Sequence, residues 1–150
     1  MIATVAAIGG LVGLIISIGL LTWQTRAVSQ QTEISNRIAG VSAINGATSS
    51  LREVHLLFVA DPSLRLYFYD GKTYPRRKRQ RDRVRTVAEL LLDAMEDGIC
   101  AHSLISSSES LGDWTIYCRH MLKRSKVLQA VVREHPEYWS ELYSLMTGKA

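Results

Sequence analysis

Apolar residues are concentrated at the amino terminus, in a block unlike anything that follows it. Ile2 to Trp23 is an uninterrupted run of 22 uncharged, mostly aliphatic residues, and the first charged side chain is Arg26. A helix of that length spans roughly 33 Å, enough for the hydrocarbon core of a bilayer at about 30 Å. The pattern therefore predicts a transmembrane helix over residues 1–23.

A cleaved signal peptide and a buried hydrophobic helix are the alternatives to a retained anchor. Signal peptides begin with basic residues and have an apolar stretch of about 7 to 15 residues, whereas this run is longer and contains no Lys or Arg. Arg26 and Arg37 follow the run, so the positive-inside rule places the amino terminus outside and the rest in the cytoplasm. We therefore expect a single-pass membrane protein whose remaining chain lies in the cytoplasm.

Small residues recur every four positions within the predicted span. Gly9, Gly13 and Ser17 would share one helix face, which would allow a second helix to approach closely. Because glycine is common in membrane helices in general, this spacing alone does not require association. We expect a homo-oligomer or a complex with another membrane protein, formed through this face.

A helical stripe continues beyond the apolar block. Apolar residues at spacings of three and four, among them Ile34, Ile38 and Val41, predict a stalk helix over residues 24–60, with a weak point near Gly40 or Asn45-Gly46. Asp61-Pro62 then provides an N-cap and a first-turn proline for a short helix over residues 63–69.

Residues 61–150 read as a separate helical domain. The pattern predicts a helix from Pro75 to about Gly98, a serine-rich loop over 103–112, a helix capped by Asp113 that ends before His135, and a last helix over 137–146. No segment shows the alternation of a β-strand, so the predicted fold is all-α: a transmembrane helix continuing into a small cytoplasmic helical bundle.

A dense basic run covers the start of the predicted core helix. Between Lys72 and Arg85 eight Lys and Arg residues stand against a single Asp82. Cations at a helix amino terminus oppose the helix dipole and repel one another, so an anionic partner would relieve both effects. The residues expected to make this contact are Arg76, Arg77, Lys78, Arg79, Arg81 and Arg83.

Anionic lipid headgroups are the first expectation for that partner, because the anchor would already hold the run near the membrane surface. An anionic small molecule is the second. Nucleic acid is a weaker choice, because residues 76–85 contain no aromatic ring on which a base would stack. The run could also be a solvated face neutralised within the protein by the acidic group Glu89, Asp93, Glu96 and Asp97.

Three aromatic residues stand in succession at Tyr67, Phe68 and Tyr69. They cannot all face one side of a helix, so at least one is expected in the core. Another is a candidate for lining a pocket or meeting a partner.

The sequence contains no recognisable catalytic or metal-binding constellation. Glu89, Asp93 and Glu96 share a helix face, but the Glu-x-x-His pairing typical of di-metal bundles is missing. An enzyme using Glu89 and Asp93 with His102 or His120 is the weakest of the three interpretations, because those residues lack the required spacing. We therefore expect no catalytic residues, no cofactor and no bound metal.

The string from Asp61 to Lys72, D-P-S-L-R-L-Y-F-Y-D-G-K, is the most distinctive in the chain. With the A-E-L-L-L-D segment at 88–93 and Tyr138-Trp139, it resembles a group of uncharacterised bacterial proteins with one N-terminal membrane helix and a small helical domain. The resemblance implies that architecture but no activity or cofactor, and the basic run departs from the group's pattern.

These observations favour a membrane-anchored, non-enzymatic interaction or sensing module whose basic helix faces anionic lipid headgroups. The alternative is a signal-gated membrane effector whose bundle binds an anionic small molecule such as a nucleotide.

Overall fold

The computed structural model describes residues 2–103 and 110–148, and within them the side chains of 13, 14, 16–103 and 112–148. The described residues contain only helices and irregular segments, which confirms the all-α prediction. In chain order the elements are α1 Ile2–Ala60, a 3-10 turn Pro62–Leu64, α2 Arg65–Tyr69, α3 Lys78–Ser103, α4 Ser110–Arg124, α5 Lys126–Glu134 and α6 Ser140–Thr147.

The chain divides into two compact units, residues 1–39 and residues 40–150. The first unit is the amino-terminal part of α1, and its described side chains are exposed. Hydroxyl groups along it bond back to the carbonyl four residues earlier, as Ser17 does to Gly13 at 2.8 Å.

No helix in the described part of the chain contains an 18-residue stretch apolar enough to cross a membrane. The predicted span over residues 1–23 falls mostly on residues 1–12 and 15, whose side chains lie outside the described part.

The second unit has one hydrophobic core, to which every one of its helices contributes. The last turns of α1 supply Val54 and Phe58, and the inner face of α3 supplies Leu91, Leu92 and Met95. The largest side chains without solvent exposure are aromatic, aliphatic or thioether groups: Phe68, Leu91, Leu92, Met95, Met121, Leu128 and Leu142. This helical bundle agrees with the prediction from the apolar spacing.

The bounds of α3 differ from the prediction at both ends. The helix begins at Lys78 rather than Pro75, because the Arg81 guanidinium donates to the carbonyls of Pro75 and Arg76 at 3.3 Å and holds them in a bend. It continues past Gly98 to Ser103. Gly98 lies inside the helix, where its missing side chain makes room for the Trp114 indole.

The predicted helix between Asp113 and His135 is two helices. α4 begins at Ser110, which places Asp113 in its first turn rather than at its N-cap. α4 ends at Arg124, and Ser125, in an extended conformation, caps α5. The Ser125 hydroxyl accepts from the Leu128 amide at 3.2 Å and donates to the Tyr67 carbonyl at 2.9 Å. A buried serine that serves two elements therefore sets this break.

The last helix starts three residues later than predicted, at Ser140. Residues 136–138 form a turn instead. The Glu96 carboxylate on α3 accepts from the backbone amides of Glu141 and Leu142 at 2.9 and 3.0 Å. The cap of α6 therefore comes from a residue 45 positions earlier in the chain, which no local pattern indicates.

Candidate functional site

The basic run between Lys72 and Arg85 divides into two parts with different surroundings. Its first part, residues 76–79, covers a bend and the first turn of α3, and all four side chains are exposed. None of the four has a hydrogen bond or ion pair with another side chain within the described residues. The first turn of α3 also contains no acidic residue. We call Arg76, Arg77, Lys78 and Arg79 the basic segment.

The later cations of the run have partners inside the protein. Arg83 forms an ion pair with Asp61 at 2.8 Å, and Arg85 bridges Glu89 at 2.9 Å and Glu134 at 3.1 Å. Arg81 is occupied by the two loop carbonyls described above. Of the six residues predicted to contact an anion, Arg81 and Arg83 are thus engaged in holding the loop and helix together.

Two of the three consecutive aromatics belong to the core. Tyr67 and Phe68 are 2% and 0% exposed, in line with the expectation that at least one of the three rings lies in the core. They face α4 and α5, against which the short α2 packs, whereas Arg65 and Leu66 of the same helix are exposed. Lys72 covers the Tyr67 ring, with its ammonium 5.0 Å from the ring centroid.

Tyr69, the third aromatic, is half-buried and joins a small polar cluster. Its hydroxyl lies 3.1 Å from Nε2 of His55, and the Arg65 guanidinium lies over its ring at 4.7 Å. Burial, and secondarily the charge of Arg65, lower the pKa of His55 below its ordinary value of 6.5. The imidazole is therefore neutral at physiological pH.

The carboxylates of α3 have different partners from one another. Glu89 pairs with Arg85, Asp93 accepts from the Trp139 indole at 2.8 Å, and Glu96 caps α6. Of these three carboxylates only Glu89 pairs with a cation of the basic run. Neutralisation of the run by the acidic group of α3 is therefore limited to this one pair. No group of three or more His, Cys, Asp or Glu suited to a metal ion occurs in the described part of the chain.

An acid-rimmed groove of about 330 Å³ lies between the end of α1 and the centre of α3. Its floor is apolar, with Val54 and Ala94 buried and Leu57 and Leu90 partly exposed. The rim consists of carboxylates, Glu53, Asp93 and Asp97.

A cationic pocket of about 470 Å³ lies among α4, α5 and α6. Arg119, Lys123 and Arg133 line it over an apolar floor of Leu122, Leu145 and Met146. No pattern in the sequence had predicted this pocket. The available signal was the pair Arg119 and Lys123, one helical turn apart, but the contribution of α5 and α6 depends on tertiary packing.

The two free cysteines are not activated nucleophiles. Burial raises the pKa of Cys118 to about 12, and burial together with Glu96 raises that of Cys100. Both thiols are therefore protonated at neutral pH, whereas the thiolate is the reactive form.

The small-residue face of α1 is described only in part. A side chain at Gly13 would meet no other group within 4 Å, and Ser17 is exposed. Gly9 lies outside the residues whose side chains the structure describes.

No model of a known protein family matches this chain, and no curated protein or solved structure is significantly similar to it.

Proposed function

We propose that this protein is a membrane-anchored, non-enzymatic interaction or sensing module of the bacterial inner membrane. Residues 1–23 are its anchor, the amino terminus is outside, and the helical domain lies on the cytoplasmic side. The basic segment, residues 76–79, contacts anionic lipid headgroups.

The observation that carries this proposal is the missing counter-charge at the basic segment. The other arginines near the start of α3 have carboxylate or carbonyl partners, whereas these four exposed cations have none in the described structure. They also stand at a helix amino terminus, where each cation costs a few tenths of a kcal/mol. A phosphate-bearing surface would remove both penalties, and each cation at such a surface contributes about 1 kcal/mol.

The paired arginines support the proposal by holding the segment in place. Arg81 binds the bend at residues 75 and 76, and Arg83 ties α3 to Asp61. The Ser63 hydroxyl, together with Arg83, keeps the pKa of Asp61 below its usual value, so this pair stays charged at neutral pH. Less conformational freedom is therefore lost when four neighbouring cations meet a surface.

The anchor is supported by the sequence alone, through the 22 uncharged residues from Ile2 to Trp23. Attachment would keep the basic segment close to the headgroups, so a weak contact would be populated without high affinity. In this proposal the same helix associates with a second copy or with another membrane protein through Gly9, Gly13 and Ser17. Replacing Gly13 with Ile should then lower the yield of crosslinked oligomer from full-length protein, and an unchanged yield would remove this role.

Vesicle flotation of residues 40–150 tests the headgroup contact separately from the anchor. This fragment retains every residue of the hydrophobic core. It should float with vesicles containing phosphatidylglycerol, remain behind with phosphatidylcholine alone, and dissociate at high salt, because screening weakens exposed charges. Replacing all four residues of the basic segment with Gln should weaken binding by roughly 100- to 1,000-fold, at about 1 kcal/mol per cation.

A matched control replaces four cations outside the segment, Arg52, Arg65, Arg124 and Lys126, and changes the net charge equally. The control variant should retain most of the binding. Equal loss in both variants would reduce the contact to a general effect of net charge, and binding indifferent to lipid charge and to salt would refute it.

A second candidate function is a signal-gated membrane effector whose bundle binds an anionic small molecule. The cationic pocket of α4, α5 and α6 favours it, because three cations converge there over an apolar floor. In this alternative, ligand binding would rearrange the spanning helices.

A further inference from the structure

The cations of the α4–α6 pocket lack the internal partners that Arg81, Arg83 and Arg85 have on α3. Arg119 and Lys123 are exposed and have no ion pair or hydrogen bond among the described side chains. Arg133 reaches only the Gln129 amide oxygen, at 3.5 Å. Its neighbour Glu134 is committed to Arg85 instead. No Asp or Glu lines the pocket, so its positive charge is not compensated from within.

Gln129 binds the backbone carbonyls that could otherwise engage the cations of the pocket. Its amide nitrogen donates to the carbonyls of Leu122 and Lys123 at 2.8 and 3.4 Å, in the last turn of α4. Those carbonyls would otherwise be natural partners for basic side chains at a helix carboxyl terminus. The same amide presents its oxygen to Arg133. One glutamine therefore satisfies the helix end and orients one of the three cations.

The floor of the pocket determines what kind of anion fits. Leu122 and Leu145 are 2% and 9% exposed, and Met146 is half-buried beside them. A bare phosphate ion would leave this apolar surface unused. A nucleotide would find no aromatic ring for its base, because none lines the pocket. A flexible methionine, in contrast, adapts well to a hydrocarbon chain.

We infer that this pocket binds a single-chain anionic amphiphile, whose head group lies among Arg119, Lys123 and Arg133 and whose hydrocarbon chain lies on Leu122, Leu145 and Met146. The volume of about 470 Å³ is within the range of small-molecule sites. The inference rests on the second candidate function, the effector, and names its ligand class. It shares no residue with the basic segment.

Photo-crosslinking on the full-length protein in phosphatidylcholine nanodiscs tests this site. The probe is a diazirine-bearing dodecanoate, and mass spectrometry locates the labelled peptides. We expect labelling in α4 and α6, displaced by dodecanoate or dodecyl phosphate but not by the uncharged dodecanol. The more potent of the two anionic competitors identifies the head group, a carboxylate as in a free fatty acid or a phosphate as in a membrane-derived monoacyl lipid.

The decisive comparison uses two variants of equal charge. Arg119→Gln with Lys123→Gln should raise the competitor concentration needed for half displacement by about 10- to 30-fold, at roughly fivefold per cation. Arg124→Gln with Lys126→Gln alters exposed neighbours that do not line the pocket and should leave it unchanged. Equal displacement in both variants, or displacement by dodecanol as effective as by dodecanoate, would overturn the site.

The outcomes also separate the pocket from the functions proposed above. If photo-crosslinking shows no specific site at the pocket, the vesicle-flotation result for residues 76–79 still stands. Specific labelling without any change in crosslinking between copies on adding dodecanoate would retain the pocket and refute gating.

Discussion

Replacing Gly98 with Ala tests whether a close helix contact organises the bundle. Gly98 lies inside α3, and a Cβ atom built there would overlap the indole of Trp114 on α4. That indole donates to the Met95 carbonyl at 3.0 Å and stacks on His102 with 5.4 Å between ring centroids. Accommodating one methyl group therefore requires the whole ring to move.

The expected change in the free energy of unfolding on Gly98→Ala is the sum of opposing contributions. Alanine is favoured over glycine in a helix interior by about 1 kcal/mol. Against this stand about 1 kcal/mol for the indole hydrogen bond, about 0.5–1.5 kcal/mol for the ring contact, and about 1–3 kcal/mol for overpacking. We expect Gly98→Ala to lower the free energy of unfolding by about 2–4 kcal/mol.

Urea unfolding followed by circular dichroism measures this change, with an unaltered m value as the check on two-state behaviour. Gly46→Ala is the matched control, because it also lies inside a helix but a Cβ there meets nothing within 4 Å. The control should be stabilised by about 0.5–1 kcal/mol. In a Trp114→Ala background, Gly98→Ala should lose its cost. If Gly98→Ala behaves like the control, the indole does not occupy this notch.

Three further predictions concern single side chains. Ser125→Ala should lower the free energy of unfolding by about 1–3 kcal/mol, because it removes the α5 cap and leaves the buried Tyr67 carbonyl unpaired, and urea unfolding measures this loss. Gly71→Ala should cost at least about 1 kcal/mol in the same assay, because φ is +68° there and a Cβ would lie 3.2 Å from the Arg124 carbonyl oxygen. The folded protein lowers the pKa of His55, so the contribution of His55 to the free energy of unfolding should be complete above pH 6.5 and decline as the pH falls below it. Urea unfolding over a pH series measures this decline, and the same decline in His55→Gln would contradict the prediction.

Much of the candidate site was accessible from the linear pattern. The basic run, its unusual position at the start of a core helix and the lack of aromatic rings in residues 76–85 are all visible in the sequence. The sequence did not show which of these cations lack a carboxylate partner. Asp61 and Glu134, the partners of Arg83 and Arg85, lie 22 and 49 positions away from them. Only folding brings these groups together.

The sequence by itself determined the class of fold and the places where local chemistry is sufficient. Spacings of three and four indicate the helices, and Asp61-Pro62 starts the 3-10 turn that leads into α2, where the Asp61 carboxylate accepts from the Ser63 amide at 3.1 Å. These features depend on neighbours within one or two turns, so a linear reading can find them.

Tertiary structure decided where helices end and which surfaces stay free. α3 continues through Gly98, and the Trp114 indole fills the space left by the missing side chain. α4 ends before Ser125, which donates to the Tyr67 carbonyl, and α6 starts where the Glu96 carboxylate accepts from its first backbone amides. The cationic pocket likewise exists only where three helices meet. In each case the deciding partner is distant in sequence, and its contribution comes from burial and hydrogen bonding that only the packed chain creates.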